Sequence, residues 1–432
     1  MIKRIKLFFN KHRFFLIVFA ALFLYHILVV RRAQWFGVDE MNYSFHAVDY
    51  SMGFCSRMLA GSLYHWIVGV YKPEAVSIYV LVLYALFFLM LAYMLEKFYL
   101  AFQNNRHACI VFIIFFLVGP FSFSIFIDQF GMLDFYWAFF FLICCMLLQN
   151  KVLKFLIPVF AAAMIMVHYG SLVSYVPMLV LIILLYFDKA QTKKEKTQYM
   201  LIAVFTVVIC GGLTLYFIKN DANNMVYSYE EFRHIVQDVR KAPSFYYDYY
   251  FFKKVAFVAE DYPELYKMFS DMNLVGQQGG NVFANILQQI KMNTYMSDLP
   301  NAFMYVGVCI GAQVLLSGIL IGYFKAHKEP LKRLIVLAMM VLTFIMSWIG
   351  VLFSTDYARW AGHAFMLLFV GVFYVLYSGY REGMKKIHTF FLKIGYPFVY
   401  MVLFIYFGTV MIPYIFMAKS ILLREVGEIV TK

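Results

Sequence analysis

The sequence predicts an all-α polytopic membrane protein with about eleven transmembrane helices and a small, mostly helical extracytoplasmic subdomain. Hydrophobic residues make up 63% of the 432 positions and charged residues only 14%, whereas a soluble domain carries about 25% charged residues. Apolar runs of about twenty residues recur along the chain, and that length crosses a hydrocarbon core of ~30 Å. Lys and Arg gather in every second connection between these runs, as expected of cytoplasmic loops.

The first helix is predicted over residues 14–30, directly after a cluster of basic residues. Its apolar run is long and ends at Arg31 and Arg32 without a small-residue cleavage site, which favours an uncleaved helix over a signal peptide. The N-terminus is therefore expected in the cytoplasm, with the chain in a bacterial cytoplasmic membrane. Further helices are predicted near residues 75–95, 108–125, 134–150, 153–167, 171–187, 199–217, 301–324, 333–353, 360–378 and 394–417.

The connections that this topology places in the cytoplasm are basic, whereas the short outer connections are nearly free of Lys. This asymmetry accounts for the formal net charge of +13 without a nucleic-acid partner. The lipid bilayer is the expected surrounding, and nucleic acid is not an expected partner because no soluble basic module is present. The residues assigned to inner loops include Lys193, Lys194, Lys196, Arg381, Lys385, Lys386 and Lys393.

Three regions are expected from this layout. Residues 1–217 form an N-terminal transmembrane module whose first outer loop covers 31–72, and residues 301–432 form a C-terminal transmembrane module. Residues 218–300 lie between them as an extracytoplasmic helical subdomain that caps the membrane part. Within the first outer loop, Arg57 to Tyr71 is expected to lie along the membrane interface as an amphipathic helix.

Several kinds of chemistry are not supported by the sequence. Phosphate-binding Gly-rich loops and the HExxH, GxSxG and Walker motifs are absent, so cytosolic nucleotide chemistry is not expected. The six cysteines show neither a disulfide framework nor zinc-ligand spacing. A substrate already embedded in the membrane fits this chain better.

Polar side chains capable of chemistry fall at several separate helix junctions, all of which the topology places on the outer face. This clustering predicts a reaction or binding site that opens away from the cytoplasm. The candidates for catalysis are Asp39, Glu40, Asp128 and Asp134. The candidates for binding a substrate and its phosphate are Asp49, Arg57, His168, Asp356 and Arg359.

The first outer loop offers acids and an arginine close to the bilayer surface. Asp39 and Glu40 suit a general base, a metal ligand or a binder of sugar hydroxyls, or else belong to a solvated loop that tolerates charge. Arg57 presents a permanently charged fork suited to phosphate. The alternatives for Arg57 are an ion pair with Asp49 or an anchor at the interface.

The next outer junctions carry two more acids and a histidine. Asp128 and Asp134 flank Gly131 in an apolar stretch, and carboxylates at membrane depth usually face a cavity or a partner. Their alternative is to be neutralised by Arg57 or by Arg359. His168 could shuttle protons or bind metal, but a hydrogen-bonded turn residue is the commoner role for a lone histidine there.

Asp356 and Arg359 lie at i and i+3 near the start of a helix, where their side chains can meet. One interpretation is a simple ion pair at the helix N-terminus. The other is that Arg359 binds a lipid-linked phosphate while Asp356 orients it, close to Trp360 and His363.

The acidic pair directly after the first helix, and the second acidic cluster near the next outer junction, resemble the C-type glycosyltransferase superfamily. Its members are polytopic enzymes that take a sugar from a polyprenyl-phosphate carrier on the non-cytoplasmic side. By this resemblance, Asp39 or Glu40 would be the first-loop acid, acting as catalytic base or metal ligand. Asp128 or Asp134 would be the second-loop acid.

The same resemblance implies that Arg57 or Arg359 holds the carrier phosphate and that residues 218–300 form the mobile part that covers acceptors. The implied partners are a polyprenyl-phosphate-linked sugar and an acceptor that is a glycan, a lipid or a protein. Some members of the superfamily use a divalent metal. By the resemblance, Asp39 and Asp128 would bind Mg²⁺ or Mn²⁺ in this chain.

Other functions stay open at this point. A polysaccharide polymerase of the O-antigen or capsule type performs related chemistry, but its outer loops use arginines more than acids. A lipid or solute transporter would need charged or broken helices near the middle of the membrane. The helix centres here are apolar, and only Gly211-Gly212 and Pro177 hint at a break. A structural or assembly subunit would leave the outer acids free to mutate.

Overall fold

The structure is a computed structural model that describes residues 12–25, 38, 40–117, 130–220, 224–242, 299–353 and 357–405. Most of these residues are helical, and the isolated bridge between Gly53 and Met225 is the one β-type pairing within those ranges. The all-helical prediction is therefore confirmed for the described part of the chain.

The helices are numbered in chain order. In the N-terminal half, α1 covers Arg13–Tyr25, α2 Glu40–His46, α3 Leu59–Ile67, α4 Pro73–Ala101, α5 Arg106–Leu117, α6 Leu133–Leu147, α7 Ile157–Val167, α8 Tyr175–Lys189 and α9 Lys193–Asn220. In the C-terminal half, α10 covers Tyr229–Arg233, α11 Leu299–Ala326, α12 Pro330–Phe353, α13 Tyr357–Tyr377, α14 Arg381–Ile394 and α15 Tyr396–Ile405. Each helix predicted from hydropathy overlaps one of these helices.

Four stretches among the described residues are long and apolar enough to cross a membrane: Pro73–Ala101, Lys193–Asn220, Pro330–Ser347 and Trp360–Tyr377. Counting the bent pair α14 and α15 as one span brings the number to five. The described parts of the other apolar helices are shorter. The structure is thus compatible with a multi-pass membrane protein, and the figure of eleven crossings stays a prediction.

α13 lies at the centre of this bundle. Of the residues in Trp360–Tyr377, 89% are buried, against 33% of those in the most apolar window of α9. α13 packs against α11 and α12, and the Tyr374 hydroxyl donates a 2.8 Å hydrogen bond to the Cys145 carbonyl of α6. α9 instead exposes Val208 and Leu215, which suits a helix that faces lipid. His363 of α13 is therefore brought into the protein interior.

Local sequence explains where several helices begin and end. Pro73 occupies the first turn of α4, where a missing N–H costs nothing, and Glu74 in the same turn favours the helix dipole. Ser228 and Glu231 form a reciprocal capping box at the start of α10. Gly395, with φ of 93°, ends α14 in a conformation that favours glycine.

The segment from 379 to 393, expected as a basic inner loop, is largely helical in the structure. Its apolar residues Met384, Ile387 and Phe391 recur at helical spacing, so one face of α14 can pack while the lysines stay exposed. α14 meets α15 at an angle of 92°. The predicted interfacial helix over residues 57–71 is shorter than expected and is confined to Leu59–Ile67.

Residues 224–242, the described part of the predicted capping subdomain, pack onto the first outer loop. The Val226 amide donates to the Met52 carbonyl at 2.9 Å, and the Asn224 side chain donates to the Phe54 carbonyl at 3.0 Å. Gly53 permits this approach, because a Cβ there would lie 2.3 Å from the Asn224 carbonyl oxygen. The expected division into regions is not decided by these contacts, but the two segments predicted to be outer touch one another.

Candidate functional site

The predicted site residues are only partly within the described structure. Asp39, Asp128 and Asp356 lie outside the described residues, as do the side chains of Glu40 and Arg359. The four remaining candidates fall into two clusters. The first, called the Arg57 cluster, contains Arg57, Asp134, Trp137, His168, Tyr175, Trp360 and His363. The second, called the Asp49 cluster, contains Asp49, Ser51, His65, Tyr71 and Arg240.

Arg57 has an unusual backbone conformation. Its φ of 69° lies in the left-handed region, which costs a residue with a Cβ about 1–2 kcal/mol. Its amide donates to the Met166 carbonyl at 3.0 Å, which ties it to the end of α7. Its guanidinium lies 2.7 Å from Nε2 of His168 and 5.8 Å from the ring centre of Tyr169. Strain of this kind is retained where surrounding contacts enforce it, and it is commonest at functional sites.

The loop before Arg57 is pressed tightly against α3. Gly61 of α3 allows this, since a Cβ there would come within 1.8 Å of the Val48 carbonyl oxygen. The Ser62 hydroxyl accepts a 2.9 Å hydrogen bond from the Tyr50 amide and donates one of 2.8 Å to the Met58 carbonyl. These contacts hold the chain on both sides of Arg57.

His168 lies directly after α7, in the short connection to α8. Its Nδ1 accepts a 3.0 Å hydrogen bond from the Gly170 amide, and its Nε2 faces the Arg57 guanidinium. A neutral imidazole has one acceptor nitrogen and one N–H. A backbone amide and a guanidinium can each only donate, so the Gly170 amide and Arg57 compete for that single acceptor nitrogen.

The Arg57 guanidinium makes the shorter of the two contacts with the His168 ring, 2.7 Å against 3.0 Å. A guanidinium carries five N–H donors in a fixed fork, and an anionic oxygen makes the strongest hydrogen bonds with it. Its chemistry suits a phosphate or a carboxylate.

Asp134 lies in the first turn of α6, where the helix dipole favours a carboxylate, and it is buried. Its Oδ2 is 3.5 Å from Nε2 of His363, which α13 supplies. Nδ1 of His363 makes a close contact with the Tyr175 hydroxyl of α8. If Tyr175 donates to Nδ1, the ring proton lies on Nε2 and faces the carboxylate. This arrangement orients Asp134 as a hydrogen-bond acceptor and potential base.

Trp137 joins the two halves of the Arg57 cluster. Its indole N–H donates to the His168 carbonyl at 3.1 Å, and its ring centre is 5.4 Å from that of His168. On the other side, its ring centre is 5.9 Å from that of His363 and 6.2 Å from that of Trp360. His168, which contacts Arg57, and His363, which contacts Asp134, therefore border one aromatic side chain.

Asp49 has a different environment from that expected. It pairs with Arg240 at 2.8 Å, and Arg240 also donates to the Ala47 carbonyl at 2.7 Å. Asp49 also accepts hydrogen bonds from the Tyr71 hydroxyl and, at 2.5 Å and 2.8 Å, from the Ser51 hydroxyl and amide. The Arg240 guanidinium lies 4.0 Å above the Tyr71 ring. Asp49 thus has a full set of partners within the protein.

These contacts change the pKa values of both acidic groups. Burial alone would raise the pKa of Asp49, but the hydrogen bonds from Ser51 and Tyr71 and the charge of Arg240 outweigh it and leave the pKa below its ordinary value. The pKa of Tyr71 is raised by burial and by its hydrogen bond to the Asp49 carboxylate. Asp49 therefore stays ionised, and Tyr71 stays protonated.

His46 of α2 is a buried polar residue that the sequence did not single out. Its Nδ1 donates to the Asn42 carbonyl at 2.8 Å, and its Nε2 accepts from the Tyr136 hydroxyl at 2.8 Å. Burial lowers the pKa of His46 to about 4, against a hydrogen bond to the backbone that favours the charged form. The histidine is neutral at physiological pH, and its role is to join α2 to α6.

Sequence reasoning also missed Arg240, Trp137 and Tyr175. Arg240 lies 191 residues from Asp49, in a segment that resembles a solvent-exposed helix. Trp137 and Tyr175 lie in apolar helices where an aromatic residue is expected as packing. A signal for Trp137 was its position three residues after Asp134, close enough to share a helix face.

Among the described residues, no group of three His, Cys, Asp or Glu side chains could hold a metal ion, and the predicted ligands Asp39 and Asp128 lie outside that part of the chain. We therefore assign no step to a metal. No family model matches the chain, and neither a curated protein nor a solved structure matches it.

Proposed function

We propose that this protein is an integral membrane glycosyltransferase. It moves a sugar from a polyprenyl-phosphate carrier to a glycan, lipid or protein acceptor on the extracytoplasmic side of a bacterial cytoplasmic membrane. The observation that carries the proposal is the placement of the Arg57 guanidinium, held at a strained φ against His168, in the same cluster as a buried carboxylate, Asp134, at the outer end of the predicted bundle.

In this proposal Arg57 binds the carrier phosphate. The Arg57 guanidinium donates to phosphate oxygens, and the His168 ring next to it holds it in position. When the bond between the anomeric carbon and the phosphate oxygen breaks, its electron pair stays on the phosphate. Arg57 stabilises the charge that develops there.

Asp134 then acts as the base. An acceptor hydroxyl loses its proton to the Asp134 carboxylate as its oxygen bonds to the anomeric carbon. His363 positions the carboxylate from the side facing α13, and Tyr175 positions His363. The ring of Trp360 is partly exposed next to these groups and offers an apolar face on which a sugar can stack, whereas the Trp137 ring is buried behind it.

Eleven membrane crossings and a cytoplasmic N-terminus form part of the proposal. The alternation of basic and non-basic connections supports them, as do helices at each predicted position. The two sequence features that would favour a transporter do not interrupt their helices. α9 runs without a break through Gly211-Gly212, and Pro177 lies in the first turn of α8 rather than in its middle.

A polysaccharide polymerase is the second candidate. One observation favours it: Asp49 of the first outer loop is neutralised by Arg240, which leaves an arginine, Arg57, as the reactive group described in that loop. The bond-forming step would be the same, with a growing glycan as the acceptor or the donor. Product length separates the two candidates, since loss of a polymerase leaves single repeat units on the carrier.

The test replaces Arg57 by Gly in the full chain and expresses it in a deletion strain. Arg57→Gly removes the guanidinium while glycine adopts the observed φ without strain. Lys241→Gly is the matched control, because Lys241 is the other described residue with a side chain and positive φ, 54°, and it is exposed outside the cluster.

We expect Arg57→Gly to accumulate in the membrane at a normal level but to lose the surface glycan or glycolipid, and the polyprenyl-linked sugar to accumulate. Lys241→Gly should keep the glycan. Mass spectrometry of extracted lipids and surface glycans measures both. A glycan profile for Arg57→Gly equal to that of the unaltered chain removes Arg57 from the mechanism and the proposal with it.

A further inference from the structure

A second feature lies at the opposite, basic end of the bundle and is independent of the proposed function. An apolar groove of about 590 Å³ runs between α5, α11, α14 and α15. Its lining is apolar throughout and includes Phe112, Phe115, Leu315, Phe391 and Val402. This volume falls within the range of about 300–1,000 Å³ that is usual for small-molecule sites.

A polar cleft adjoins this groove. It has a volume of about 420 Å³ and is lined by Lys385, Lys386 and Lys393 of α14, together with Glu382, Thr389 and Phe390. Phe390 lines the groove and the cleft, so the two spaces meet at one side chain. Three lysines against one glutamate leave the cleft positively charged.

The orientation of α14 explains why these spaces adjoin. α14 turns by 92° relative to α15. Across the bend, Nδ1 of His388 and the Tyr396 hydroxyl form a 2.6 Å hydrogen bond. The Tyr396 ring lies 5.2 Å from that of His107 at the start of α5. A basic amphipathic helix that runs across the ends of membrane helices is the arrangement expected at a lipid headgroup layer.

We propose that the groove and the cleft together bind one anionic phospholipid of the leaflet at the basic end. An acyl chain occupies the apolar groove, and the phosphate lies among Lys385, Lys386 and Lys393. Charge selects this occupant: lysines next to an apolar space match a molecule with a negative head and a hydrocarbon tail. Basic pockets between membrane helices bind lipid headgroups for the same reason.

The experiment uses the full chain in mild detergent with equal amounts of phosphatidylglycerol and phosphatidylcholine, and native mass spectrometry counts the retained lipids. The unaltered chain is expected to retain one phosphatidylglycerol with at least about tenfold preference over phosphatidylcholine. The triple variant Lys385→Gln, Lys386→Gln and Lys393→Gln should lose that preference. The control triple, at Lys193, Lys194 and Lys196, makes the same charge change on exposed lysines of α9 and should keep it.

A second pair of variants tests the groove itself. Leu315→Trp fills it and should reduce retention of either lipid, whereas Val341→Trp changes an equally apolar exposed position of α12 away from the groove and should have no effect. Equal retention of the two lipids by the unaltered chain overturns the proposal. So does loss of preference in both lysine triples, or unchanged retention in Leu315→Trp. No retained lipid at all would assign the groove to another occupant and likewise overturn it.

Discussion

The Asp49 cluster and the Arg57 cluster use the same residue types, yet their arginines face different groups. In the Asp49 cluster, a carboxylate with several acceptor positions meets Arg240, Tyr71 and Ser51, which are all donors. In the Arg57 cluster, the guanidinium faces an imidazole instead of a carboxylate, and its backbone has a strained φ of 69°. We therefore expect Arg240 to stabilise the fold and Arg57 to engage an anionic substrate. The group that each arginine faces, rather than its own charge, distinguishes the two clusters.

The largest expected effect separates the two carboxylates by activity. Asp134→Asn keeps the size of the side chain but removes the base, so we expect transfer to fall by about 100-fold or more while stability changes little. Asp49→Asn should reduce stability but leave transfer per folded molecule close to normal. Initial rates with membrane-extracted lipid donor, normalised to folded protein, measure the difference. Equal losses of rate in the two variants would make the contrast between the clusters wrong.

The next effect concerns stability. Arg240→Ala leaves Asp49 buried without its counter-charge, and removal of one partner from such a pair typically costs about 3–5 kcal/mol. Thermal unfolding in detergent should show a clear fall in the midpoint. Adding Asp49→Asn to Arg240→Ala should recover part of the loss, since the carboxylate is then absent. A double variant as unstable as the sum of the single variants would mean that the pair is not coupled.

The pH dependence of stability distinguishes Asp49 from the buried His46, because the two side chains titrate in separate pH ranges. The folded pKa of His46, about 4, lies below the ordinary value of 6.5, so the unfolded chain binds a proton that the folded chain excludes between these values. Stability therefore falls as pH drops from 6.5 towards 4, by up to about 3 kcal/mol.

The pKa of Asp49 is also lowered, so its stabilisation is complete above its ordinary value of 3.8 and is lost only at lower pH. His46→Gln should remove the fall in stability between pH 6.5 and pH 4 and leave the loss of stability at lower pH unchanged. Unfolding midpoints at half-unit steps of pH measure this. If the stability of His46→Gln still falls between pH 6.5 and pH 4, another titrating group causes that fall.

The smallest effect on stability is expected at Arg57. Arg57→Gly should leave the protein as stable as before or more stable by about 1 kcal/mol, because glycine adopts a φ of 69° without the Cβ penalty. The same substitution is expected to abolish transfer. A large fall in the unfolding midpoint would show that the guanidinium has a structural role like that of Arg240.

Sequence reasoning located the helices well because hydrophobicity and length control membrane insertion directly. It also grouped Arg57, Asp134 and His168 at one end of the bundle, and in the structure Arg57 contacts His168, which Trp137 separates from His363, the partner of Asp134. It could not supply the partner of Asp49, because pairing over 191 residues leaves no local pattern. It likewise missed the helix over 381–394, where a high density of charge obscured the apolar face.

The distance along the chain between Asp49 and Arg240 has a consequence for biosynthesis. A ribosome exposes the first outer loop long before it has made the residue that neutralises that loop, 191 positions later. Until then the first loop lacks the ion pair that joins it to Arg240. Chains that stop before Arg240 never form this pair, so we expect their first loop to fold less stably.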